Sequence, residues 1–325
     1  MNLAKRRLYA TDRVAQLQKQ LSVIPTLKGC RDKMCVYATG SFGRLEACKY
    51  SDLDLFFLQF SNTDKVSRIS KTLIDAEVIN ICRKAKFPEF TADGKYLEMH
   101  SLDDILSELG SPEDDYRNYF TARMLLLLES KPLFSVDVYY DTLKKVIDSY
   151  YVDYHDHEKN FRPIFLLNDI LRFWKTLCLN YEHRRNRPPK NIPKKREAHL
   201  KNLKLKFSRM TTCYSMVLLL AHSDHHAISP DEVLGFAKLT PTQRLEYLAQ
   251  LEPKKLKSSV GEVMETYSWF LEKTGVEEGQ AVEWLSDRKR RELAFARARD
   301  YHKGIYNILV KIVADSSDFL RFLAI

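Results

Sequence analysis

Apolar segments predict two strands near the start of the chain. Residues 36–38 have the composition of the end of a short strand, and residues 51–60, rich in Phe and Leu, predict a longer one. Alternate side chains share a face in a strand, so we expect Asp52 and Asp54 to point the same way. The two leucines that alternate with them then point the other way, into apolar packing.

The periodicity of the remaining residues up to about 150 is mainly helical. Residues 66–85 predict a helix, because apolar residues recur there at helical intervals, at Ile69, Leu73, Val78 and Ile81. Residues 95–102 alternate well enough for a third strand, with Glu98 on one face. Residues 116–130 predict a strongly apolar helix that residues 131–134 close, and residues 136–151 predict another helix.

Beyond about residue 153 the pattern is almost purely helical. One apolar stripe runs through residues 164–181, and a basic, proline-broken loop at 183–196 separates it from a second helix. The second stripe consists of Leu200, Leu203, Phe207, Met210, Tyr214 and Val217. We therefore divide the chain into a domain of residues 1–150 and a helical domain of residues 151–325.

Composition and charge narrow the classes of partner. The 325 residues are 45% hydrophobic and 29% charged, which is typical of a globular protein. The net charge of +9 favours anionic partners such as nucleotides, RNA or acidic protein surfaces. The six cysteines lack Cys-x-x-Cys or zinc spacing, which indicates reduced thiols and a cytoplasmic protein. The N-terminus lacks the apolar segment of a signal peptide, and no apolar run could span a bilayer, so we expect no membrane partner.

The pair Asp52 and Asp54 is the first candidate for chemistry. Two carboxylates side by side on one strand face repel each other, and a divalent cation held by both relieves the repulsion. Carboxylate ligands with no nearby His or Cys suit a hard ion, so Mg²⁺ is the expected metal and Mn²⁺ the alternative. The turn at Gly40 and Ser41 supplies a place for phosphates, because glycine allows close backbone approach and Ser41 adds a hydroxyl donor.

The string GSFGRLE…YSDLDL resembles the nucleotidyltransferases of the DNA polymerase β superfamily. Their pattern is Gly-Gly or Gly-Ser, a gap of similar length, then Asp-hydrophobic-Asp-hydrophobic. Within the superfamily the string is similar to the branch of protein-PII uridylyltransferase and glutamine-synthetase adenylyltransferase, which usually has Gly where Leu45 stands. The resemblance implies an α+β fold, in which a small mixed β-sheet core with flanking helices precedes a helical domain that closes the nucleotide cleft. Arg44 is expected to support the turn or to pair with Glu46, without a catalytic role.

Further site residues follow from the resemblance. Superfamily enzymes often place a third carboxylate on a later strand, and Glu98 is the first candidate for it, with Asp93 second; a solvated edge-strand Glu is the alternative interpretation of Glu98. Their helical domains commonly bind the outer phosphates through basic and hydroxyl residues. The candidates here, set against a merely solvated basic face, are Lys204, Lys206, Ser208 and Arg209.

The implied activity is transfer of a nucleoside monophosphate from an NTP, such as ATP, to a macromolecule with release of pyrophosphate. The acceptor is left open between an RNA end and a protein side chain. The basic stretch 184–209 favours RNA, although a solvated loop explains the same charges. The alternative function is a nucleotide-binding regulatory module without catalysis.

Overall fold

A computed structural model of the chain describes residues 1–88, 90, 97–186, 192–314 and 317–324. The chain divides into two compact units. Residues 4–152 form one, called here the sheet unit, and residues 1–3 with 153–325 form the other, called here the helical unit. The division lies close to the boundary that the sequence predicts at residue 150. The fold class is α+β, as predicted, with one small mixed sheet and otherwise helices.

The described residues of the sheet unit form four strands and eight helices. The strands are β1 (Met34–Thr39), β2 (Asp54–Gln59), β3 (Met99–Ser101) and β4 (Lys131–Phe134). The helices are α1 (Leu3–Leu21), α2 (Pro25–Lys28), α3 (Gly40–Gly43), α4 (Arg68–Lys84), α5 (Leu102–Ser107), α6 (Pro112–Tyr116), α7 (Tyr119–Glu129) and α8 (Val136–Asp148).

The four strands form one sheet in the order β3-β2-β1-β4. β1 lies between β2 and β4 and is antiparallel to both, whereas β2 and β3 are parallel, so the sheet is mixed. The pairing of β1 with β2 ends at Thr39 opposite Asp54. β1 and β2 therefore meet at this edge, where β1 turns into α3 and β2 begins.

The two faces of the sheet are covered differently. One face packs on α1 and α4 in a single apolar core that includes Val14, Leu17, Val36, Ala38, Leu55, Phe57, Ile74 and Val78. On the other face the ring of Phe56 stacks on Tyr37, with 5.5 Å between centroids, and on His100 at 5.7 Å. The side chain of Asp54 shares this second face, because it alternates with Leu55 along β2.

The predicted helix over residues 66–85 is confirmed as α4, whereas the prediction that residues 131–134 only close a helix is wrong. Within α4, which Ser67 caps by accepting a hydrogen bond from the Ser70 amide, Ile74 and Val78 are buried, but Ile69 and Leu73 are 76% and 50% exposed. The buried face of α4 thus includes only some of the apolar residues that predict the helix. Residues 131–134 do not merely close a helix: they form β4, an edge strand that pairs with β1.

The helical unit contains helices only, among its described residues. They are α9 (Ile164–Asn186), α10 (Ile192–Lys204), the π-helical segment Leu205–Arg209, α11 (Met210–Ser223), α12 (Pro230–Lys238), α13 (Pro241–Leu251), α14 (Pro253–Thr274), α15 (Glu278–Ser286), α16 (Arg288–Val313) and α17 (Ser317–Ala324). Over the described part of the chain, none of the helices has both the length and the apolar character that crossing a membrane requires.

The predicted second stripe forms the core of the helical unit. Leu200, Leu203, Phe207 and Val217 are buried, and Tyr214 is half-buried. The ring of Phe207 stacks on Phe270 at 4.6 Å between centroids. The sequence does not predict the π-helical segment, which widens one turn in the middle of a continuous helix.

Candidate functional site

The Gly40 turn lies directly against Asp54. Gly40 follows β1 with φ +62°, a backbone conformation that residues other than glycine rarely adopt. A β-carbon built on Gly40 would come within 2.5 Å of Asp54 Oδ2. Glycine is therefore required twice at this position, by backbone conformation and by the carboxylate beside it. The structure brings together the two parts of the motif that the sequence separates.

Gly43 serves a different purpose at the end of the same turn. A β-carbon there would meet the carbonyl oxygen of Glu129 at 1.9 Å and that of Ala38 at 2.9 Å. The absent side chain lets the backbone of α3 rest on the C-terminal end of α7. This contact fixes the position of the turn relative to the sheet.

A buried ion cluster holds the loop that follows the turn. Arg44 Nε donates to Glu46 Oε2 at 3.0 Å, and Arg44 Nη1 donates to Glu129 Oε2 at 2.7 Å. All three side chains are at most 8% exposed. Arg6 Nη1 also donates to the carbonyl oxygen of Glu46 at 2.9 Å. The predicted pairing of Arg44 with Glu46 is confirmed, and the role of Arg44 is to support the turn.

Glu129 is the member of this cluster that the sequence does not reveal. It ends the apolar run Met124–Leu128, where an acid in a buried helix is unusual. That contrast is the available sequence signal, but it does not identify the partner. The partner lies 85 positions earlier in the chain.

Leu45 has a strained backbone conformation. Its φ of +55° lies in the left-handed region, which costs a residue with a β-carbon roughly 1–2 kcal/mol. Glycine adopts this conformation without that cost. In this chain the leucine side chain instead packs against the apolar core of the sheet unit.

The two aspartates occupy different environments. Asp54 is the first residue of β2 and is half-buried, whereas Asp52 precedes the strand and is exposed. The predicted strand start at residue 51 is wrong, because β1 turns into α3 after Thr39 and leaves Asp52 no strand to pair with. Leu53 and Leu55 do point into the apolar core, as predicted.

The donor set at this edge suits a hard cation. Asp52 and Asp54 supply carboxylate oxygens, and both are open to solvent to some extent. Among the described residues, no three or more His, Cys, Asp or Glu side chains are placed to hold a metal. The carboxylate chemistry fits Mg²⁺, and protein ligation beyond these two residues stays a prediction.

Ser41 lies beside Gly40 in α3 and is half-buried. Its carbonyl oxygen accepts a hydrogen bond from the Glu46 amide at 2.8 Å, which ties the turn to the buried ion cluster. The backbone around the Ser41 hydroxyl is therefore fixed on both sides. Its contact with a phosphate stays a prediction.

Glu98 lies just before β3 and is exposed. Phe57 pairs with Met99, so Glu98 is level with Phe56, two residues along β2 from Asp54. The next residue on its side of the strand is His100, whose pKa burial lowers while the charge of Glu98 opposes the shift. Glu98 thus directly precedes the strand that pairs with β2. Asp93, the second candidate, lies outside the described residues.

The candidate phosphate-binding residues of the helical unit do not form one surface. Lys204 is exposed and its Nζ lies 3.3 Å from Glu278 Oε2. Ser208 is only 6% exposed, and its hydroxyl accepts a hydrogen bond from Tyr267 at 3.4 Å. Lys204 faces solvent whereas Ser208 is buried, so the two side chains do not lie on one exposed surface. Lys206 and Arg209 are half-buried, and their contact with phosphates stays a prediction.

Neither comparison with known proteins places the chain in a family. A scan against protein-family models gave no match, and a search of curated proteins gave none either.

Proposed function

We propose that the protein is a Mg²⁺-dependent nucleotidyltransferase that moves a nucleoside monophosphate from an NTP to a macromolecular acceptor. The observation that carries the proposal is the contact between the Gly40 turn and Asp54. It puts a glycine backbone that can approach a phosphate next to a carboxylate that can hold a cation. A nucleoside triphosphate that binds with Mg²⁺ needs both the phosphate-binding backbone and the metal-binding carboxylate.

Each residue has a distinct part in this proposal. Asp52 and Asp54 would hold Mg²⁺, which would supply charge neutralisation for the triphosphate and would lower the pKa of the acceptor hydroxyl. The Ser41 hydroxyl and the backbone near Gly40 bind phosphate oxygens and so orient the NTP. Glu98 is the proposed third carboxylate. The buried Arg44 cluster keeps the turn in position during the reaction and does not touch the substrate.

The distribution of charge favours RNA as the acceptor. The helical unit has 30 Lys and Arg against 22 Asp and Glu, whereas the sheet unit has 22 against 21, so nearly all of the net +9 belongs to the helical unit. A polyanion gains most from such a surface, because each neutralised phosphate releases a counterion. A protein acceptor needs no such excess.

Two neighbouring helices of that unit both carry exposed basic side chains. The rings of His199 and Phe295 lie 6.3 Å apart, which brings α10 beside α16. Exposed basic residues on the two helices are Arg196, Lys201, Lys289, Arg290 and Arg299. We include this surface in the proposal as the RNA-docking face.

One observation favours a second candidate, a nucleotide-binding module without catalysis. Asp52 is exposed and lies outside β2, so the strand positions only Asp54. A single positioned carboxylate is enough to bind a nucleotide with its metal, whereas in-line transfer by two ions needs more ligands.

Labelling separates these functions. The protein is incubated with each α-labelled NTP, Mg²⁺ and a cell extract, and the products are treated with RNase or protease. Label that RNase removes supports an RNA acceptor, and label that survives RNase but is lost with protease identifies a protein acceptor. An NTP that binds but labels nothing supports the binding module. The variant Asp54→Asn is the control for transfer by a contaminant.

A further inference from the structure

Two neighbouring histidines in the helical unit face each other across a short gap. His225 and His226 lie in the connection between α11 and α12, and both are exposed. The nitrogen His226 Nδ1 is 3.2 Å from His225 Nε2. The distance is that of a hydrogen bond, so the positions of the protons decide whether the two nitrogens attract or repel each other.

The other nitrogen of each ring fixes its protonation. His225 Nδ1 lies 2.7 Å from the carbonyl oxygen of His222, which can only accept, so Nδ1 carries the proton. His226 Nε2 lies 3.1 and 3.2 Å from the two carboxylate oxygens of Glu232, so it also carries its proton. In the neutral imidazoles, the two nitrogens that face each other therefore both present lone pairs.

Facing lone pairs at this distance repel unless a cation lies between them. The cation is either a shared proton or a metal ion. Two nitrogens bound to one tetrahedral Zn²⁺ at about 2.0–2.1 Å are about 3.3 Å apart, close to the separation in the structure. Metal-binding histidines typically donate their other N–H to a carboxylate or a backbone carbonyl, and both arrangements are present here.

We propose that His225 Nε2 and His226 Nδ1 bind one transition-metal dication of the Zn²⁺ or Cu²⁺ class. Imidazole ligands suit such ions better than they suit Mg²⁺. The pair supplies two ligands, and water completes the coordination. Among the described residues, no three or more metal-ligating side chains lie together, so further protein ligands are not expected. The site is separate from the aspartates of the sheet unit and does not depend on the proposed transferase activity.

Glu232 has a positioning role in this site. Its amide donates to the Ser229 hydroxyl oxygen that caps α12, so the carboxylate is attached to the first turn of that helix. A bound metal would therefore connect the end of α11 to the start of α12 through His226 and Glu232. The ion would stabilise the folded protein by an amount that increases with the ratio of its concentration to its dissociation constant.

The test uses the full chain without an affinity tag, because a histidine tag binds the same ions. Isothermal titration with Zn²⁺ is expected to show one site per chain, and the Cu²⁺ spectrum in electron paramagnetic resonance should show two coordinated nitrogens. His225→Ala and His226→Ala should each abolish this site. Glu232→Gln should weaken it by about 10-fold or more, as loss of an orienting partner does at other metal sites.

The matched control replaces two exposed histidines elsewhere in the same unit, His155 and His157, by alanine. This variant should bind Zn²⁺ as the parent does. Equal loss in the control and in the His225 or His226 variants would overturn the proposal, and so would the lack of a one-to-one site in the parent. Nitrogen NMR at pH 7 tests the alternative, a proton shared between the two rings. A spectrum that shows one shared proton and does not change when Zn²⁺ is added would overturn the metal site.

Discussion

The α-carbon of Gly40 lies so close to the carboxylate of Asp54 that a β-carbon would come within 2.5 Å of Oδ2. The contact joins the end of β1 to the start of β2 at the position where the antiparallel pairing of the two strands ends. It makes the glycine and the aspartate one structural feature, although 13 residues separate them. Any side chain at residue 40 must move the carboxylate.

The first prediction concerns this contact. Gly40→Ala should displace Asp54 and also impose a β-carbon on a backbone with φ +62°, at a cost of roughly 1–2 kcal/mol in unfolding free energy. Nucleotide transfer should fall much more than stability, because the displaced carboxylate is the proposed metal ligand. The measurements are label transfer and urea unfolding.

Gly29→Ala is the matched control for that variant. Gly29 lies in the same unit with φ −66°, and the nearest atom to an added β-carbon is 3.6 Å away, which is ordinary contact. It should retain both stability and transfer. Full transfer by Gly40→Ala would show that the position of Asp54 is not important for the reaction.

The second prediction compares the two aspartates. Asp52→Asn and Asp54→Asn should each abolish transfer, because each removes a charged ligand of the proposed Mg²⁺. Asp52→Asn should leave the unfolding free energy without metal within about 0.5 kcal/mol of the parent, since the side chain is exposed. Asp12→Asn, an exposed change on α1, is the control and should be fully active. If only the Asp54 variant is inactive, two carboxylates do not share the metal.

The motif and many of the strands and helices could be predicted from the sequence because they depend on local patterns. A short strand-like segment identified β1, and alternation identified the apolar side of β2. Apolar helical patterns identified α7, α8 and the stripe through Phe207. The π-helical segment and β4 depend on tertiary packing, so no local period reveals them. Glu129 pairs with a residue 85 positions away, a separation that a single sequence does not encode as a pattern.

The third prediction tests the strain at Leu45. Leu45→Ala keeps the β-carbon on a backbone with φ +55° and removes most of the packing, whereas Leu45→Gly removes the packing and the strain. The glycine variant should therefore be the more stable of the two, by about 1 kcal/mol in urea unfolding. At an ordinary loop position with negative φ the order is the reverse, because glycine gains more entropy on unfolding. An alanine variant as stable as the glycine variant would contradict the strain.

The fourth prediction concerns the buried ion cluster. Arg44→Ala leaves the carboxylates of Glu46 and Glu129 buried without their guanidinium, which should cost about 3–5 kcal/mol of unfolding free energy at pH 7.5. The comparison is Arg117→Ala, which breaks an exposed pair with Glu113 and should cost at most about 1 kcal/mol.

The last prediction uses His100, whose ring stacks on Phe56 beside the candidate site. Burial lowers the pKa of His100 below its usual value near 6.5, and the nearby charge of Glu98 opposes that shift only in part. The folded protein therefore binds this proton less readily than the unfolded chain does. The contribution of the neutral ring to stability is complete above about pH 6.5 and is lost as the pH falls below that value.

His100→Phe keeps an aromatic ring in the stack and removes the titration. Between pH 7.5 and 5, thermal unfolding of the variant should shift less than that of the parent, because one proton-linked loss is absent. His157→Phe, at an exposed position, should leave the parental pH dependence unchanged. If His100→Phe and the parent lose the same stability on acidification, the pKa of His100 is the same in the folded protein as in the unfolded chain. The charge of Glu98 then offsets the effect of burial completely, and the predicted lowering of the pKa is contradicted.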